Sequence, residues 1–167
     1  MKSGMGTLIS SLICGAGLVA MTGGAIAQGN DQVTIEGTWL SKVTASNPPP
    51  GVPPVFLSLS SHTRSGEVSE ANTTSADRSV GLGEWTRTGN RQFERTLTFF
   101  NYAPGHVFVT FTKVNSSIEL APDGESYTAN NSFRIYDATG LLVFSGQNTT
   151  VAKRCGLGDD IPICIPQ

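Results

Sequence analysis

The residues whose types allow chemistry here are two histidines, one strand-embedded arginine, two glutamates on neighbouring segments and two late cysteines. His62 opens the turn His62-Thr63-Arg64-Ser65-Gly66, and His106 begins a strand after Pro104-Gly105. Both stand near strand ends, where an imidazole can shuttle protons at a rim, although solvated surface histidines are the plainer reading. Arg95 shares its alternation with Phe93, Leu97 and Phe99. If that face looks inward, the guanidinium needs a partner and can hold a ligand carboxylate through a bidentate contact. If the register is inverted, Arg95 is a solvated surface residue. Glu94 is excluded as its same-strand partner because adjacent residues face opposite ways. Glu84 and Glu94 flank a tight turn, and their numbers sum to about 178, which predicts that they stand opposite one another. Such a pair is unfavourable unless a base such as Arg87 or Lys113 intervenes, and nothing else resembles a sugar cleft. There is no Gly-x-Ser-x-Gly elbow, phosphate loop or His-rich metal spacing, so neither a metal nor a cofactor is implied.

The cysteines take their meaning from the leader. Met1-Lys2, an apolar run from Leu8 to about Ala20, and Ala25-Ile26-Ala27 read as a signal peptide over residues 1–27, cleaved before Gln28. The run is too rich in Gly and Ser for a membrane anchor. Cys14 lies within it, preceded by Ile13 where lipid attachment wants a small residue. A mature chain of 140 residues remains, enough for one domain, with Cys155 and Cys164 as its thiols. An even pair in an oxidising compartment, set among Gly156, Gly158, Pro162 and Pro166, predicts a disulfide closing residues 155–167. Two cysteines do not complete a tetrahedral metal site, and the spacing is not Cys-x-x-Cys. The expected location is secreted or periplasmic.

With Lys2 removed, ten Lys plus Arg face thirteen Asp plus Glu, a net charge of minus three. The bases are scattered singly, which excludes the clustered footprint of a nucleic-acid binder and predicts no membrane partner after signal cleavage. Sequons at Asn72, Asn115, Asn130 and Asn148 are glycan sites only in a eukaryotic secretory host.

These side chains must be positioned by strands. After a mobile leader over 28–33, alternating apolar and polar residues predict strands at about 34–44, 55–61, 67–73, 81–87, 91–101, 106–120, 125–136 and 141–152. Short turn signals such as Thr88-Gly89-Asn90 and Pro122-Asp123-Gly124 connect the later ones. The connection after the first is Ser46-Asn47-Pro48-Pro49-Pro50-Gly51-Val52-Pro53-Pro54, read as polyproline II outside the sheet. A bulge is expected near Asn115-Ser116-Ser117. Consecutive hairpins without a helical repeat predict an all-β, eight-stranded antiparallel up-and-down barrel over 34–154.

The period of two supplies the expected lumen. Phe93, Arg95, Leu97 and Phe99 form one face of strand five, and Tyr127, Ala129, Asn131, Phe133 and Ile135 one face of strand seven. In strand six, Val107, Val109 and Phe111 are expected as the wall, against Phe108, Thr110, Thr112 and Val114. The candidate ligand-binding set is therefore Phe93, Arg95, Leu97, Phe99, Tyr127, Asn131 and Phe133, suited to a small hydrophobic or amphipathic molecule.

Gly37-Thr38-Trp39 opening the first strand, a basic residue ending the last, and the long loop between strands one and two resemble the lipocalins and the wider calycin barrels. The resemblance implies that Trp39 closes the bottom of the barrel against Arg154 and that 46–54 is a lid at the open end. Gly83 to Phe93 and Asp123 to Thr128 also look like small exported bacterial proteins of uncertain role. Similar barrels include allene oxide cyclases, dirigent-like proteins and polyketide cyclases, which implies a cofactor-free cyclase or isomerase as the alternative to a binder. A surface interaction module with a packed lumen is the third reading.

Overall fold

A computed structural model describes residues 33–74, 77–156 and 158–167; the predicted signal peptide, 1–27, lies outside the described residues. Eight strands follow one another as β1 (Gly37–Ala45), β2 (Val55–His62), β3 (Glu67–Asn72), β4 (Gly81–Arg87), β5 (Gln92–Ala103), β6 (Val107–Leu120), β7 (Ser126–Asp137) and β8 (Leu142–Arg154). Each pairs antiparallel with its sequence neighbour, and β1 pairs with β8, giving the closed all-β barrel that alternation predicts. Closure leaves no strand with an unpaired edge along its full length. Asp31–Gln167 is one compact unit in which every strand finds its partners.

The chain before β1 departs from the predicted strand. Residues 33–36 cross the closed end of the barrel, and Ile35 is fully buried there beside Trp39. These two, with Phe93, Ile118, Leu120, Tyr127, Ala129 and Ala152, make the core. Trp39 donates through Nε1 to the Ile35 carbonyl at 2.8 Å and meets Tyr127 edge to face at 4.9 Å. Arg154 lies 4.3 Å from the Trp39 ring centroid and donates to the carbonyls of Thr34, Glu36 and Gly124. Arg87 donates to the Val33 carbonyl while its guanidinium lies 4.6 Å from the Phe93 ring centroid. Carbonyls that crossing a barrel mouth would strip of sheet partners are thereby satisfied by charged donors.

The connection between β1 and β2 is a reversing turn and not a continuous polyproline rod. Gly51 takes φ 81°, Val52 N donates to Pro49 O at 3.1 Å, and Ala45 N donates to Pro54 O at 2.8 Å. Register differs from expectation between β4 and β5, where Leu82 meets Thr98 and Glu84 meets Thr96. Glu84 and Glu94 are therefore not opposite, and Glu84 faces Glu67 of β3 instead. The bulge near Asn115 is absent from β6; register shifts fall at Asn101/Tyr102 and at Ile135/Tyr136. The predicted disulfide between Cys155 and Cys164 is present, closing a loop that includes the short helix α1 (Ile161–Cys164).

At Gly83, β4 and β5 approach closely. A Cβ there would sit 1.7 Å from the Thr96 carbonyl oxygen and 3.0 Å from Leu97 Cα, both backbone atoms that cannot rotate away. Replacing Gly83 with Ala is expected to lower stability by about 3 kcal/mol or more, read as a drop in urea midpoint at unchanged m-value. A shift below about 0.5 kcal/mol would show that β4 and β5 are not packed this closely.

Candidate functional site

Cross-strand pairing stacks the inward side chains of β5 to β8 in layers. Above the floor, Arg95 pairs with Ser116, Ser116 with Asn131 and Asn131 with Asn148, a polar shelf spanning four strands. The next layer is Leu97, Val114, Phe133 and Gly146, and above it stand Phe99, Thr112, Ile135 and Phe144. A cavity of about 410 Å³ occupies this upper half, and Pro49, Pro50, Gly51 and Val52 of the long loop line its mouth. Gly146 makes room for the aromatic wall, because a Cβ there would stand 2.6 Å from Phe133 Cζ.

Of the seven predicted lumen residues, Arg95, Leu97, Phe99, Asn131 and Phe133 line this cavity. Phe93 and Tyr127 face inward too, yet both belong to the packed floor beneath it, and the Tyr127 hydroxyl is 3.2 Å from Ser41 Oγ. The expected wall of β6 is overturned. Thr112 is buried and Val114 lines the cavity, whereas Val107 and Val109 are exposed and Phe111 stacks on Tyr136 at 5.2 Å along the outward parity of the strand.

Arg95 is inward and 8% exposed. Its guanidinium donates to Ser116 Oγ from Nη2 at 3.1 Å, and among the described residues no carboxylate lies within 4.0 Å of it. Arg78 provides the contrast. Its Nη2 is 2.5 Å from Glu70 Oε2, the pair is buried, and the guanidinium lies 3.8 Å from the Phe99 ring centroid. Glu70 also accepts from Ser58 Oγ. Both lumenal guanidinia are shielded from bulk water, but only one is neutralised at contact distance; Asp77 stands exposed at the mouth.

Glu70 and Ser58 were legible as inward positions, since Val68, Glu70 and Asn72 alternate as Phe56, Ser58 and Ser60 do. Arg78 carries no such signal, because it sits on an isolated bridge to Asn101 outside the named strands. His62 is the clearest departure from a surface reading. It ends β2 pointing inward, 2% exposed, and neither ring nitrogen has a hydrogen-bond partner among the described residues. Burial, followed by the positive charges of Arg95 and Arg154, pushes its pKa from 6.5 to about 3. His106 occupies a turn at φ 58° and is exposed.

A second hollow, of about 520 Å³, is lined by Glu94, Asn115, Asn130 and Gln147 and also by Ser116, Asn131 and Asn148 of the shelf. Glu94 is its one charged group, and no aromatic side chain lines it.

No protein family, curated protein or solved structure matches this chain.

A folded-state pKa of about 3 against 6.5 when unfolded makes the unfolded chain the stronger proton binder between those values. The stability held by neutral His62 is complete above pH 6.5 and is lost as pH falls toward 3. Between pH 7 and 5 the wild type is expected to lose roughly 2 kcal/mol more than a His62→Phe variant in paired urea titrations. Parallel pH profiles for the two proteins would show that His62 is not a buried neutral imidazole.

Proposed function

We propose that this chain is an exported, lipocalin-like carrier that holds a small amphipathic molecule in the upper lumen with its acidic or strongly polar end down. Arg95 is the observation that carries the reading: a buried guanidinium on the lumen floor shelf, bonded to Ser116 and without a carboxylate at contact distance among the described residues. Leaving a guanidinium buried without a counter-charge costs several kcal/mol, which a ligand carboxylate offsets through paired charged hydrogen bonds. Ser116, Asn131 and Asn148 extend the polar shelf, while Leu97, Val114 and Phe133 receive an apolar body above it. Polar groups below an apolar sleeve favour a molecule with one polar end over a uniformly apolar one. The loop at the mouth serves as a lid. The Cys155–Cys164 bond supports a secreted or periplasmic location, where such a bond persists.

The test is a titration of residues 28–167 with an alkyl fluorophore bearing a terminal carboxylate and with its methyl ester. The acid is expected to bind about tenfold or more tightly than the ester, as a charged hydrogen-bond pair implies. Arg95→Met, which keeps the volume and removes the charge, should bring the two affinities together. Equal binding of acid and ester by the wild type would remove Arg95 from the site, and binding of neither would remove the carrier reading.

A further inference from the structure

Strands β5 to β8 have 12, 14, 12 and 13 residues against 9, 8, 6 and 7 for β1 to β4. The excess length gathers at the open end as two adjacent hairpin tips, turning at Pro104-Gly105-His106 and at Ala138-Thr139-Gly140. Each hairpin carries its register shift close to its tip. An extra residue on one strand interrupts the inward and outward alternation there. Three consecutive apolar residues are exposed on each tip as a result: Val107, Phe108 and Val109 on one, Leu141, Leu142 and Val143 on the other, from 40% for Phe108 to 65% for Leu141. Phe100, also exposed, meets Phe108 edge to face at 5.7 Å and enlarges the patch.

The rungs below the tips are ordered. Phe111 and Tyr136 stack first, then Lys113 and Arg134 stand opposite each other across β6 and β7. Both bases are exposed, and among the described residues neither has a carboxylate within 4.0 Å. Glu119, Glu125 and Asp123 lie toward the closed end of these strands. Two carboxylates stand near the tips: Asp77, exposed at the lumen mouth with its carbonyl accepting from Tyr102 N, and Asp137, which is turned into its own loop and accepts from Thr139 N, Thr139 Oγ1 and Leu141 N.

We infer that the paired tips dock on an anionic lipid bilayer. Apolar side chains at the extremity, aromatic rings next and bases beneath them reproduce the depth order of acyl chains, interface and lipid phosphates. Charge complementarity favours this occupant over a second copy of the chain, which would set the same two bases against the same patch. Docking faces the lumen mouth toward lipid, because Tyr102 and Thr110 of the tip-bearing hairpin also line the cavity. The inference departs from the expectation of no membrane partner, and it does not depend on what the lumen holds.

The experiment is co-sedimentation of residues 28–167 with vesicles of phosphatidylglycerol and phosphatidylcholine, and with vesicles of phosphatidylcholine alone. Binding to the anionic vesicles is expected, falling as salt rises. Lys113→Gln with Arg134→Gln should weaken it by about fivefold per base. Phe108→Ser, Leu141→Ser and Leu142→Ser together should weaken it by at least about tenfold. Glu119→Gln, toward the closed end, should leave binding no weaker. Tryptophan emission, from Trp39 in the floor and Trp85 beside Phe93, reports whether each variant is folded. If the triple serine variant fails to fold, the exposed pair decides alone through Lys113→Glu with Arg134→Glu. Absence of vesicle binding by the wild type, or binding unchanged by the variants, overturns the inference. A wild-type dimer that binds no vesicles and that the serine variant dissociates assigns the patch to a second copy.

Discussion

Arg154 donates to the carbonyl oxygens of Thr34, Glu36 and Gly124 while its guanidinium faces the Trp39 ring, so one side chain ties the entering segment, the final strand and the β6 to β7 turn together. The closed end depends on that convergence. Together with Arg87, which holds the Val33 carbonyl, it fixes the path of residues 33–36 that keeps Ile35 in the core and its carbonyl against the Trp39 indole. Burial pushes the Arg154 pKa down, with Glu125 acting in the opposite direction, yet a guanidinium keeps its charge under such pressure. A lysine would offer a single point charge where three carbonyls in different directions are served by a planar fork. The closed end is thus a charged clamp over an aromatic plug, which lets the other end remain hollow.

Two lumenal arginines show how the hollow half manages charge. Arg78 is neutralised by Glu70 and covers Phe99, which converts a buried charge into part of the wall. Arg95 has a serine hydroxyl instead. Burial first, then the fields of Arg95 and Arg154, keep His62 neutral well below the usual imidazole range. The two arginines divide the work: the Glu70–Arg78 pair makes a buried charge part of the wall beside Phe99, and Arg95 leaves a guanidinium facing the cavity without a carboxylate at contact distance among the described residues.

Legibility followed the regularity of the strands. In β5 the alternation of Phe93, Arg95, Leu97 and Phe99 placed all four inward, since no bulge interrupts the strand before Asn101. In β6 the run Val107-Phe108-Val109 is apolar in both parities, so composition could not say which residues face the lumen. The register shift near the tip then left all three exposed. His62 was misleading because the polar triplet after it reads as turn, although the period of Phe56, Ser58 and Ser60 carries through to it. The partnership of Glu70 and Arg78 was out of reach, because it joins a regular strand to an irregular segment whose path only the tertiary fold determines.

The barrel is closed by pairing its first strand with its last, Trp39 opposite Arg154 and Ala45 opposite Asn148. Every other seam joins neighbours in sequence and can zip as a local hairpin, whereas this one must gather a loop of nearly the whole domain. Such non-local pairing is slow relative to hairpin formation and comes late in folding. During synthesis β1 has one lasting edge to offer for as long as β8 is unmade, and the aromatic plug cannot seat until Arg154 arrives. The order of the chain therefore keeps the barrel open along one seam until its final strand is present.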